Sequence, residues 1–156
     1  MQAHEEKETL SVDVFGPAHA DRTTTTIFVH SKAKLEEREH GRCWICGCTA
    51  EEAGHPLEAH HLGIERQFAE AAIEWGKVKA DFPNFDWANF DQTKPYTFVD
   101  NMLAQGTLLC KPHHTGKFTG IHSLPYSLWI MQRYLTDGVQ FSPNEVIHHD
   151  TEAVNG

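Results

Sequence analysis

The sequence predicts an α+β fold: one small domain of short strands and helices, stapled by a metal site and closed by a C-terminal helix. Three observations carry that prediction. Two short apolar stretches, PLEAHHLG (56–63) and GTLLC (106–110), have the length and bounding residues of strands. Helical periods run after each of them. Two pairs of metal-ligand residues, C43-x2-C46 and C110-x2-H113, lie 64 positions apart, the second closing the second strand.

Taken in order, residues 1–42 read as N-terminal strands and a short helix. TLSVDVF (9–15) and TTTTIFVH (23–30) are rich in β-branched residues, with Gly16-Pro17 marking a turn between them. SKAKLEEREH (31–40) predicts a helix with Ser31 as its N-cap and Gly41 as its stop. Residues 43–138 form the central unit. CWICG (43–47) is a knuckle-type turn, followed by the strand at 56–63. Ile64, Phe68, Ala71, Ala72, Trp75 and Val78 then recur at helical spacing and predict an amphipathic helix, the start of an insertion over 64–97. Residues 81–97 carry Phe82, Phe85, Trp87, Phe90 and Tyr96, too apolar for a disordered linker. They read as an ordered irregular segment forming a satellite core, the alternative being a platform for stacking on unpaired bases.

VDNML (99–103) suggests one helical turn, and 106–110 the second strand. In KPHHTGKFTGIH (111–122) any helix is short or broken by Gly116 and Gly120. SLPYSLWIMQRYLTDG (123–138) predicts a helix capped by Ser123, burying Leu124, Leu128, Met131 and Leu135, and ended by Gly138. Residues 139–156 read as a tail, in which His148 and His149 have no partner motif.

Composition narrows the function. The formal charge of −9 argues against a protein that merely coats nucleic acid. That charge is uneven: no acidic residue lies between Asp100 and Asp137, where Lys111, Lys117, Arg133 and three histidines are found. Those three cations are candidates for phosphate contacts, or simply a solvated face. No apolar run approaches the ~20 residues of a membrane span, and the charged N-terminus has no signal core. The expectation is a cytoplasmic protein that needs neither a membrane nor a small-molecule cofactor. In that compartment four cysteines suggest metal before disulfide.

The two ligand pairs suit tetrahedral zinc, because an x2 spacing lets one tight turn present two ligands to one ion. Cys43, Cys46, Cys110 and His113 are therefore the expected structural Zn²⁺ ligands, with Cys48 a spare thiol. The twelve histidines cluster at 60/61, 113/114/122 and 148/149. On a strand, His60 and His61 point to opposite faces.

The order of these motifs resembles the HNH nucleases, a family with the ββα-metal fold. The matching residues are Cys43, Cys46, His60, His61, Asn101, Cys110, His113, His114 and His122. The stretch EAHHLGIE through LLCKPHHTGKFTGIHSLP also looks like small phage-encoded HNH-like proteins. The resemblance covers residues 43 to 122, with the following helix as support. It implies a zinc-stapled ββα-metal core and a metal-dependent endonuclease acting on DNA. His60, His114 and His122 would hold a catalytic divalent ion (Mg²⁺, Mn²⁺, Ni²⁺ or Zn²⁺). His61 would be the general base, and Asn101 would fix a loop across the site. The chain departs from the pattern in three places. His61 and Asn101 are 40 positions apart, Asn101 lies nine positions before Cys110, and His122 falls eight positions after His114. Gln105 is the nearest substitute for Asn101, and Glu65 or Glu58 for His122.

A second class of function stays open: a non-catalytic HNH-like zinc module that binds a phage or host protein, such as a phage inhibitor of a host enzyme.

Overall fold

The structure, a computed structural model, describes residues 23–135. The expected strand at 9–15, its following turn, Gly138 and the tail with His148 and His149 lie outside them. Nine regular elements follow in order: α1 (Thr26–Arg38), α2 (Ala50–Ala53), β1 (Glu58–His61), α3 (Trp75–Asp81), α4 (Tyr96–Val99), α5 (Met102–Gln105), β2 (Gly106–Leu109), α6 (Lys111–Thr115) and α7 (Tyr126–Tyr134). The mixture of helices with a small sheet is α+β, as expected. Among the described residues, no helix is long and apolar enough to cross a membrane.

β1 and β2 pair antiparallel, with His60 opposite Thr107 and His61 opposite Gly106. All four residues of β2 are buried. The main core gathers around this pair: Leu35 from α1, Cys43 and Ile45 from the knuckle, Leu57, Met102, Leu108, Leu109 and Trp129.

The strand expected at 23–30 is instead the start of α1. The Thr25 hydroxyl accepts the Phe28 N–H at 3.1 Å and donates to the Asp100 carboxylate at 2.8 Å, so it caps the helix and ties it to the rest of the fold. Ser31, expected as the cap, sits inside the helix. Its hydroxyl donates to the Asp100 carbonyl at 3.0 Å and accepts the Met102 N–H at 2.9 Å. These long-range bonds, with Leu35 fully buried one turn on, outweigh the β propensity of the threonines.

The continuous helix expected from Ile64 to Val78 is also absent. A single 3₁₀ turn, Arg66–Phe68, and an irregular stretch precede α3. The buried Gln105 side chain holds Ile64 out of a helix, accepting its N–H at 2.8 Å and donating to its carbonyl at 3.1 Å. Arg66 is drawn to Asp100, Nε to Oδ1 2.9 Å. The apolar period still fulfils its purpose, because Ile64, Trp75 and Val78 all pack into a second core. Phe98 lies at its centre, with Phe85 at 5.2 Å and Trp87 at 5.1 Å between ring centroids. The aromatics at 82–96 are thus the satellite core of the insertion. Gly63 permits its close approach: a Cβ there would stand 2.6 Å from the Phe82 ring.

α7 begins after Pro125, without a side-chain cap from Ser123. Its buried residue is Trp129, 0 % exposed, whereas Met131 is 45 % exposed. The helix is rotated from the expected stripe because the indole N–H of Trp129 donates to the His113 carbonyl at 2.8 Å. Burying the largest side chain with its polar atom satisfied fixes the face.

Candidate metal centres

The knuckle brings its cysteines to β2. The Cys43 N–H donates to the Cys48 carbonyl at 2.9 Å, and the Gly47 N–H to the Cys43 carbonyl at 2.8 Å. This tight turn presents three sulfurs to Cys110, which ends β2 and is the N-cap of α6. The sulfurs of Cys43, Cys46, Cys48 and Cys110 all lie within 4.8 Å of one another, so the group could hold a metal ion. His113, one turn into α6, adds a fifth donor, its Nδ1 3.1 Å from the Cys110 sulfur and 3.9 Å from that of Cys43. The Cys46 to Cys110 separation of 3.9 Å suits thiolates on one ion: two sulfurs at about 2.3 Å in a tetrahedron stand about 3.8 Å apart. The Cys43 thiol is pulled down to about 3, chiefly by the hydrogen bond from the Cys110 thiol. Cys46 is pushed up to about 12, chiefly by burial, and Cys110 is also raised, chiefly by its bond to Cys43. One thiolate therefore forms readily, and the others need an ion to displace their protons.

Beside β1 the side chains of His60, His114 and His122 converge, their ligating atoms within 4.8 Å of one another. His60 points from the strand toward α6, only 5 % exposed. His114 lies on α6. His122 returns to it across eight positions because the chain folds back tightly. The Gly120 N–H donates to the Gly116 carbonyl at 2.8 Å, and the His122 N–H to the His114 carbonyl at 3.3 Å. This return depends on Gly120, where a Cβ would meet Gly116 N at 2.6 Å and the His114 carbonyl oxygen at 2.8 Å.

The two Nε2 atoms of His114 and His122 stand 3.1 Å apart. Two imidazoles bound to one ion at about 2.05 Å, 90–109° apart, place their nitrogens about 2.9–3.3 Å from each other, so the donors fit a shared ion. The Glu58 carboxylate holds the far nitrogen of His114, Nδ1 to Oε2 2.6 Å. A carboxylate in that place fixes the tautomer that leaves Nε2 free to ligate. His60 is pulled down to about 3, first by burial and then by the neighbouring histidines, and His122 is lowered for the same two reasons. Both are thus neutral with a lone pair available near pH 7. Glu65 flanks the group, its carboxylate 3.7 Å from His60 Nε2, and burial raises its pKa. A cleft of about 300 Å³ opens here, lined by Glu65, Arg66, Gln67 and His122.

His61 occupies the opposite face of β1, stacked on Phe28 with 6.4 Å between ring centroids. Its Nε2 is shielded and has no hydrogen-bond partner among the described residues. Burial lowers its pKa, opposed by the negative charge of Asp100 and the Val99 carbonyl. Asn101 is the N-cap of α5, its side chain accepting the Ala104 N–H at 3.2 Å. Gln105 ties Ile64, in the segment after β1, to Val99, whose carbonyl accepts its side-chain N–H at 2.9 Å.

The cations named from sequence are dispersed. Arg133 donates to the Trp44 carbonyl and lies 4.3 Å over its ring. Lys117 sits 5.0 Å over Phe118, and Lys111 is exposed. Sequence reasoning missed the ion pair of Arg66 with the fully buried Asp100, for which no local motif exists. It also set Cys48 aside, although the C-x-C spacing of Cys46 and Cys48 was a visible signal.

The described residues therefore form a small α+β fold with two side-chain groups that could hold metal. Comparison with family models, curated proteins and solved structures finds no match.

Proposed function

We propose that this chain is a metal-dependent HNH-type endonuclease that hydrolyses phosphodiester bonds in DNA, encoded by a phage or prophage and acting in the host cytoplasm. The observation that carries the reading is the convergence of His60, His114 and His122 between an antiparallel strand pair and the short helix that follows it. The order β1, β2, α6 and the cysteine group at the base of α6 support the reading.

On this reading His60, His114 and His122 would hold a divalent ion, which supplies neutralisation of phosphate charge and assistance to the departing oxygen. Glu58 orients His114. His61 takes the proton of the attacking water at Nε2, the buried atom left without a partner. Burial and the Arg66 charge oppose the imidazolium so formed, and Asp100 offsets part of that cost. Asn101 and Gln105 hold the surrounding backbone, and Lys111 and Lys117 are the cations left for phosphate contacts. The products would carry 5′-phosphate and 3′-hydroxyl ends.

The test is nicking of supercoiled plasmid by purified protein in Mg²⁺, Mn²⁺ or Ni²⁺. Wild type cuts, and His61→Ala keeps its fold while losing roughly 10²–10⁴-fold in rate. Full activity in His61→Ala, or no cutting in any of these metals, refutes the reading. A Glu65→Gln variant that loses all activity beside an active His61→Ala would transfer the proton-accepting role to Glu65.

One observation favours a second reading, a non-catalytic zinc module binding a phage or host protein. The charge is −9, and two arginines are committed internally, Arg66 to Asp100 and Arg133 to Trp44. One tightly held zinc per chain, with no cutting, would establish that alternative; two metal ions per chain oppose it.

A further inference from the structure

Five donor atoms crowd the cysteine centre, one more than a tetrahedral ion accepts. The choice lies between Cys48 and His113, since Cys43, Cys46 and Cys110 are common to both sets. We infer that Cys48 is the fourth ligand, making a four-sulfur site, and that His113 donates a hydrogen bond to the Cys110 sulfur.

Distances separate the two. Sulfur at about 2.3 Å and nitrogen at about 2.05 Å on one tetrahedral ion stand about 3.6 Å apart. The His113 Nδ1 lies 3.1 Å from the Cys110 sulfur and 3.9 Å from that of Cys43. Those values correspond to angles of about 91° and 127° at the ion, both well off the tetrahedral 109°, so the ring nitrogen is better placed as a hydrogen-bond partner of the Cys110 sulfur. The sulfurs of Cys46 and Cys110, at 3.9 Å, match the separation expected of two ligands. Cys48 belongs to the same mutual grouping, with every sulfur within 4.8 Å of the others.

Backbone contacts agree. The Cys48 carbonyl accepts the Cys43 N–H at 2.9 Å, fixing Cys48 against the first ligand of the knuckle. The His113 backbone is fixed differently, by the Trp129 indole on its carbonyl. A four-thiolate site carries two net negative charges once a divalent ion is bound. An imidazole N–H aimed at one sulfur stabilises that charge without occupying a coordination position.

The test loads the full chain with one equivalent of the NMR-active cadmium isotope, which prefers the thiolates to the histidine group. A single cadmium resonance in the four-sulfur region is expected, correlated to the β-protons of four cysteines. His113→Gln should leave the resonance in that region, and Cys48→Ser should move it to the three-sulfur region. A wild-type resonance in the three-sulfur, one-nitrogen region, with correlations to three cysteines and an imidazole, overturns the assignment. Should Cys48→Ser fail to fold, the wild-type correlations decide alone. None of these readouts depends on nuclease activity.

Discussion

Glu58 offers the sharpest perturbation of the histidine group, because it touches one ligand and supports little else. Its carboxylate lies 2.6 Å from His114 Nδ1, and its side chain is 42 % exposed. Replacing it with alanine removes the group that fixes the His114 tautomer and ring plane. Loss of such an outer partner costs 10–100-fold in metal affinity, or about 1.4–2.7 kcal/mol. Glu58→Gln keeps an acceptor at nearly the same place and should fall at the lower end. Fold stability should change by no more than about 0.5 kcal/mol, as for other exposed positions. The assay is calorimetric titration of Ni²⁺ or Co²⁺ into chain whose cysteine centre already holds zinc, with thermal unfolding measured in parallel. Unchanged affinity in Glu58→Ala would refute the reasoning, since His114 would then need no partner to ligate. Weakened binding accompanied by a large drop in Tm would refute it too, by making the effect one of folding.

Three other outcomes follow from the same geometry. Gln105→Ala should destabilise the fold by about 2–4 kcal/mol in chemical denaturation, because it strands the buried Val99 carbonyl and the partly buried Ile64 N–H and carbonyl. A cost below about 1 kcal/mol would show that water replaces the side chain there. Gly120→Ala should displace His122, since its new Cβ meets backbone atoms at 2.6–2.8 Å. Triad metal affinity should drop at least tenfold while zinc at the cysteine centre stays bound, and a wild-type affinity would contradict this. With the triad metal-free and the zinc in place, acid should destabilise the protein through His60. Its pKa falls from the ordinary 6.5 to about 3 on folding, so the unfolded chain takes up the proton first. The stability is fully present above about pH 6.5 and is lost as pH falls toward 3, by roughly 2–3 kcal/mol at pH 4.5. A His60→Gln control should lack this part of the pH dependence, and identical profiles would contradict it.

What was legible in the sequence is what local pattern encodes. The two strands, the short helix after Cys110, the knuckle and the clustering of histidines each rest on residues within a few positions of one another. What was illegible depends on single side chains reaching across the fold. Thr25 and Ser31 turn a β-branched run into a helix by bonding to residues 69–75 positions away. Gln105 and Asp100 break the helical period after Ile64 in the same manner. The Trp129 indole rotates α7 away from the stripe that spacing alone suggests. The candidate site shows the same division. His60 and His114 were readable as ligands, the return of His122 required the Gly116 and Gly120 turn, and the pairing of Glu58 with His114 spans 56 positions. The Cys48 sulfur reads as a spare thiol from sequence because the C-x2-C spacing draws the choice to Cys43 and Cys46, although a knuckle can present three.

The central claim is that His60, His114 and His122 hold one divalent ion. A crystal of zinc-loaded protein soaked in Mn²⁺ tests it most directly, through anomalous scattering at the manganese edge. The account predicts one manganese peak about 2.0–2.3 Å from a ring nitrogen of each of the three histidines, with open positions toward the cleft at Glu65. A manganese-saturated crystal with no peak between these rings, or with the peak held by carboxylates elsewhere, would contradict it.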